Sequence, residues 1–131
     1  MSLPDHPSEA WIDLSKVARL KDVTLYFKDL SVAWVASTLK TITSGHRNLR
    51  EVSIKGCAPA NAATVGDEMR REWVDLEHTL IQLWESHGIC AKVQYYSRKG
   101  EESHELMRDL LPEATKRGTV ELVDISTVYN Y

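Results

Sequence analysis

Two cysteines, five histidines and the adjacent carboxylates Glu101 and Glu102 are the residues whose types suit nucleophilic, metal-binding or acid–base chemistry. Their spacing argues against each use. No two of His6, His46, His78, His87 and His104 stand three or four residues apart, and no H-E-x-x-H stretch places ligands on one helix face. His78 falls between the apolar positions Leu76 and Leu80, which predicts a helix-rim residue packed against its neighbours. Glu101 and Glu102 open a helical segment, where the positive end of the helix dipole accounts for them. Cys57 and Cys90 are too few for a disulfide framework or a cysteine-rich zinc site, and are expected to be reduced, buried thiols. The six glycines form no phosphate-binding G-x-G-x-x-G or G-x-x-x-x-G-K loop. The expectation is a protein with no catalytic group, no metal and no cofactor.

With 43% hydrophobic residues, 27% charged residues and four tryptophans in 131 residues, the chain has the composition of one ordinary globular domain. Its formal charge is −3, and its lysines and arginines come in small groups close to acidic residues. That pattern argues against nucleic acid as a partner. No apolar run approaches a membrane span, and residues 1–7 lack the basic and apolar regions of a signal peptide. A cytoplasmic protein is expected, with the nucleus also compatible. Residues 1–7, with two prolines and no periodicity, read as a flexible lead-in to a single domain over 8–131.

The elements that must position these residues follow a recurring frame. Leu49-Arg-Glu-Val52-Ser-Ile54-Lys-Gly-Cys57 reads L-x-x-V-x-I-x-x-C, the strand pattern of leucine-rich repeats. Weaker copies begin at Leu20, Cys90 and Val120, giving offsets of 29, 41 and 30 residues, each long enough for a strand and a helix. In this frame Cys57 fills the position whose side chain turns inward toward loop backbone. Strands are predicted over 23–27, 49–54, 89–96 and 120–125.

Helical periodicity fills the intervals. Ser8 suits an N-cap for a short helix carrying Trp11, Leu14 and Val17 or Ala18 on one face. Asp29 opens a second helix running to Thr43, with Val32, Val35, Ala36, Leu39 and Ile42 as its stripe. Thr64 with Asp67 opens a third, on which Met69, Trp73, Leu76, Leu80, Leu83 and Trp84 form a long apolar face ending at Gly88. In the last, Leu106, Met107, Leu110, Leu111 and Ala114 are buried, Pro112 breaks the helix and Gly118 ends it. Trp11, Trp73 and Trp84 are expected in the core. Trp34 falls off its stripe and is expected in an exposed patch at a contact with a partner or a second copy.

The run from Trp11-x-x-Leu14 into Leu20-Lys-Asp-Val23-Thr-Leu25, its second pass from Trp73-Val-Asp-Leu76 to Val93, and the ending Leu110-Leu-Pro-Glu-Ala-Thr-Lys-Arg-Gly118 carry a resemblance. Together they resemble the C-terminal leucine-rich-repeat-like region of fungal F-box proteins of the mushroom type, over residues 11–125. The resemblance implies an intracellular protein-binding module, the part that recognises the substrate of a cullin ubiquitin ligase. In that family an N-terminal F-box grips the Skp adaptor. No L-P-x-E-[LI]-type stretch precedes Trp11 here, so adaptor binding is not implied, and the chain resembles a substrate-recognition portion alone.

The expected fold is therefore α/β: a short leucine-rich-repeat-like stack of four strand-helix units with an essentially parallel sheet. A compact open α/β sandwich is the alternative. In such a stack the fourth and sixth frame positions are buried, while the third, fifth and seventh point from the open sheet face. That assigns Asp22, Thr24 and Tyr26, then Glu51, Ser53 and Lys55, then Lys92, Gln94 and Tyr96, and finally Leu122, Asp124 and Ser126 to one surface. Tyrosines among mixed charges suit recognition of another protein. The candidate partner-binding residues are Thr24, Tyr26, Glu51, Ser53, Lys55, Gln94, Tyr96 and Asp124, with Trp34 on the helix side. A self-associating structural domain and, less well supported, a small α/β enzyme are the competing functions.

Overall fold

The computed structural model describes residues 13–17, 19–27, 32–57, 65–96 and 101–125, with residues 101–104 described by their backbone alone. The chain alternates strand and helix: β1 (Asp22–Tyr26), α1 (Ala33–Leu39), β2 (Glu51–Cys57), α2 (Asp67–His87), β3 (Ala91–Tyr96), α3 (Glu101–Leu110), α4 (Pro112–Arg117) and β4 (Val120–Asp124). The strands lie in the order β1-β2-β3-β4 and every pair is parallel. The α/β architecture expected from the sequence is the one observed. Because sequence order equals spatial order, crossovers of the usual right hand put every helix on the same side of the sheet. α2 lies in the middle of that layer, touching α1, α3 and α4.

The strands bury alternate residues, as one covered face requires. Val23 and Leu25, Val52 and Ile54, and Ala91, Val93 and Tyr95 meet the helices, and the core between the layers is filled by Val35, Leu39, Trp73, Leu76, Leu80, Met107 and Leu111. Near the C-terminal end of β2, Gly56 is required by packing. A Cβ there would stand 2.5 Å from three carbons of the Phe27 ring, which in turn meets Trp73 edge-on at 5.4 Å.

The frames beginning at Leu20 and Leu49 are in phase, with Asp22 opposite Glu51 and Leu25 opposite Ile54. The next pair slips by two residues: Ser53, rather than Glu51, faces Lys92. An even slip leaves each residue on its expected side. The last pair slips by one, with Val120 opposite Ala91 where the frame expected Cys90. The slip seats Val120 in the buried row of Ala91 and Leu122 beside Val93. It thereby turns Leu122 and Asp124 to the covered face, contrary to expectation, and brings Glu121 and Val123 to the open one.

Several local expectations are corrected. Residues 13–20, where described, form turns rather than a helix; the Val17 N–H reaches the Leu14 carbonyl and the Leu20 N–H that of Val17. Val17 is exposed. α1 is one short helix of seven residues, and Trp34, Val35, Ala36, Thr38 and Leu39 on it are all buried, because it is enclosed by sheet and α2 together. Trp34 is therefore a core residue at 8% exposure, not an exposed patch. Among the described tryptophans it is Trp84 that is exposed, at 42%, near the C-terminal end of α2. The N-cap of α2 is Gly66, without a side-chain cap, while Thr64 lies outside the described residues. Ser8, Trp11, Asp29 and Ser126 also lie outside them. Pro112 does break the last helical segment, ending α3 at Leu110 and starting α4, and Gly88 and Gly118 cap α2 and α4 in the left-handed conformation at φ 68° and 72°.

Neither α1 nor α4 has a local side-chain cap. α2 supplies both. Glu72 Oε1 accepts the backbone N–H groups of Val32 and Ala33 at 3.0 and 3.2 Å, and Glu77 Oε2 accepts those of Glu113 and Ala114 at 2.8 and 3.1 Å. Each carboxylate satisfies N–H groups that the first turn of a helix leaves without partners.

Candidate functional site: the open face of the sheet

The registers set the side chains of the uncovered face in rows across the four strands. Thr24, Ser53, Lys92 and Glu121 make one row, and Tyr26, Lys55, Gln94 and Val123 the next. Asp22 and Glu51 lie side by side toward the N-terminal ends, and Cys57 and Tyr96 toward the C-terminal ends. Of the expected surface residues, the structure brings together Thr24, Tyr26, Glu51, Ser53, Lys55, Gln94 and Tyr96, although Ser53 is itself buried, at 5% exposure, against expectation. It separates from them Asp124, which lies on the helix side, and Trp34, which is in the core. Val123 and Glu121 take the place of Asp124.

The middle of the face is a polar cluster. Glu51 Oε1 lies 3.7 Å from Lys92 Nζ, and the Ser53 hydroxyl donates to it at 3.5 Å. The Lys92–Glu51 pair is half exposed and adds little to stability, so it serves to hold orientation. Gln94 is different. Its Oε1 is shielded from water and has no hydrogen-bond partner among the described residues. A buried acceptor left without a donor is costly, and such groups in native proteins call for an explanation.

Both cysteines are exposed, against the expectation of buried thiols. The cause is parity: Cys57 shares the side of Glu51, Ser53 and Lys55, so it points from the open face instead of turning inward. The Cys90 sulfur approaches the Gly118 carbonyl at 3.7 Å. Partial burial and the neighbouring Glu121 carboxylate push its thiol up, Lys92 opposing them. A raised thiol is a poor nucleophile at neutral pH. On the opposite face, burial and the charge of Asp124 push the Tyr95 phenol up to about 12, with Arg108 acting against them.

Among the histidines, His78 is exposed on α2, and His87 reaches the Thr43 carbonyl through Nε2 at 3.0 Å. His6 and the side chain of His104 lie outside the described residues. His46 is buried and fully engaged. Its Nε2 donates to the Leu14 carbonyl at 2.8 Å and its Nδ1 accepts the Thr43 N–H at 2.9 Å, which assigns the proton to Nε2. Among the described residues no three of His, Cys, Asp and Glu gather as a metal site, and no helix is long and apolar enough to cross a membrane.

Architecture and face together define the class: a small α/β stack of strand-helix units, one sheet face packed under helices and the other polar. Compared with known proteins, the chain matches no family model, no curated protein and no solved structure.

Proposed function

We propose that the chain is a non-catalytic protein-interaction module that recognises another polypeptide through the open sheet face. The observation that carries the reading is the Gln94 amide oxygen, shielded and without a donor, in the row of Tyr26, Lys55 and Val123. A turn of the Gln94 side chain would bring this oxygen to a donor group of a bound polypeptide, while Tyr26 in the same row and Tyr96 in the next offer large contact area with a polar tip. The resemblance to the substrate-recognition portion of F-box proteins supports the same role, with a protein destined for ubiquitination as the partner.

Affinity capture from fungal lysate tests this, comparing the wild type with Tyr26→Ala/Tyr96→Ala and with Gln94→Leu. Proteins retained by the wild type and lost by both variants are the expected result. Gln94→Leu removes a stranded acceptor, so it should leave folding stability level or higher while abolishing capture. An unchanged set of retained proteins in both variants sinks the reading, and a concentration-dependent dimer lost in the same variants would assign the face to self-association instead.

A further inference from the structure

Five cations that the sequence spreads over two separate segments converge at one end of the fold. Lys16, Arg19 and Lys21 lead into β1, and Arg47 and Arg50 lead into β2; all five are exposed. The Arg50 N–H donates to the Lys21 carbonyl at 2.7 Å, which sets these two residues side by side. The two segments are further stitched through Leu14. Its N–H donates to Thr41 Oγ1 at 2.8 Å, and its carbonyl accepts from the buried His46. Thr41 Oγ1 in turn donates to the Thr38 carbonyl at 2.6 Å, anchoring the seam to the end of α1. The result is a braced platform.

We infer that this platform, Lys16, Arg19, Lys21, Arg47 and Arg50 at the N-terminal ends of β1 and β2, docks an acidic peptide segment of a partner protein. Three observations favour that occupant. None of the five cations is ion-paired among the described residues, whereas Lys40, Lys92 and Arg117 are. In a chain of formal charge −3, the platform sets five cations against the three nearby carboxylates Asp13, Asp22 and Glu51, a local positive excess that steers an anionic partner. Val17, one of three large apolar side chains exposed among the described residues, lies between Lys16 and Arg19 in the chain and offers a foothold to an apolar residue within the acidic segment.

Carboxylates decide between anions. Asp13, Asp22 and Glu51 are exposed at the same end. The unbroken phosphate charge of a nucleic acid would run against them. A peptide carries discrete carboxylates with neutral residues between, and can match the cations while sparing these three. Arginine forks suit such carboxylates through paired hydrogen bonds.

The test is fluorescence anisotropy of the whole chain with a fluorescein-labelled peptide of Glu-Leu-Glu repeats, at low and at physiological salt. A single-stranded oligonucleotide of equal charge and phosphatidylserine vesicles are run alongside. Binding of the peptide that weakens with salt, falls about tenfold or more in Arg19→Glu/Arg50→Glu, and persists in Arg70→Glu/Arg71→Glu on α2 is the expected result. Circular dichroism confirms that each variant is folded. Tighter binding of the oligonucleotide or the vesicles, equal losses in the two arginine pairs, or no peptide binding at all overturns the proposal. The platform lies off the open face, so Tyr26→Ala/Tyr96→Ala should retain the peptide, which separates the fate of this proposal from that of the face.

Discussion

The carboxylate of Glu77, buried at 4% exposure, accepts the backbone N–H of Ala114 across the helix layer at 3.1 Å. With the Glu113 N–H at 2.8 Å it forms the N-terminal cap that α4 lacks locally. Pro112 at the start of α4 has no N–H to satisfy, so one acceptor oxygen serves the next two donors. Truncation to Glu77→Ala strands both donors, that of Ala114 in a buried site and that of Glu113 in a partly buried one, and should cost about 2–3 kcal/mol. Glu72→Ala, at the less buried α1 end, should cost about 1 kcal/mol. Glu77→Gln keeps an acceptor and should fall between wild type and alanine. Urea denaturation with an unchanged slope reads the order; a Glu77→Ala midpoint equal to wild type would remove the cap from the stability of the fold.

Phe27 and Gly56 share one space, and that makes a coupled prediction. Gly56→Ala drives a methyl into the Phe27 ring, whose edge contact with Trp73 limits its escape, and should destabilise by about 1–3 kcal/mol. Phe27→Leu alone also destabilises, by lost packing. The double variant should be more stable than the sum of the two losses implies, a coupling that a double-mutant cycle measures. Strict additivity would mean that the ring and the glycine are independent.

Tyr95 predicts the alkaline limit. Its phenol is pushed up to about 12 in the folded chain, chiefly by burial, against 10.0 for an ordinary tyrosine. The folded state therefore holds the proton more tightly than the unfolded one. The associated stability is complete below pH 10 and is lost as pH rises toward 12. Chemical denaturation across this range should show the fall, and Tyr95→Phe should flatten it. A Tyr95→Phe profile as steep as that of the wild type would assign the alkaline loss to other groups.

Periodicity carried much of this fold. The 29-residue offset between the Leu20 and Leu49 frames is the register itself, because both frames alternate cleanly through Val23, Leu25, Val52 and Ile54. It failed at β4, where Val120, Leu122, Val123 and Ile125 offer apolar residues in both phases, so an alternation of period two has no unique answer. That ambiguity cost Asp124 its place on the face. Cys57 follows the simple parity of its own strand and not the repeat consensus, so it points outward. Trp34 is buried off the apparent stripe because a short helix with buried residues on several sides has no single apolar stripe to read. The caps from Glu72 and Glu77 had no local signal: each lies tens of residues from the N–H groups it serves. The basic platform was hidden for a related reason, since Lys21 and Arg50 become neighbours only when β1 and β2 pair.

A sheet whose strands follow chain order lets each unit lean only on its neighbours, so opening can begin at either end without unzipping the rest. The two carboxylates of α2 reach in opposite directions, to α1 and to α4, and make the middle of the chain the part on which both flanks depend. Amide exchange should accordingly be slowest in β2, α2 and β3, and the two end units should trade protons with solvent through smaller, separate openings.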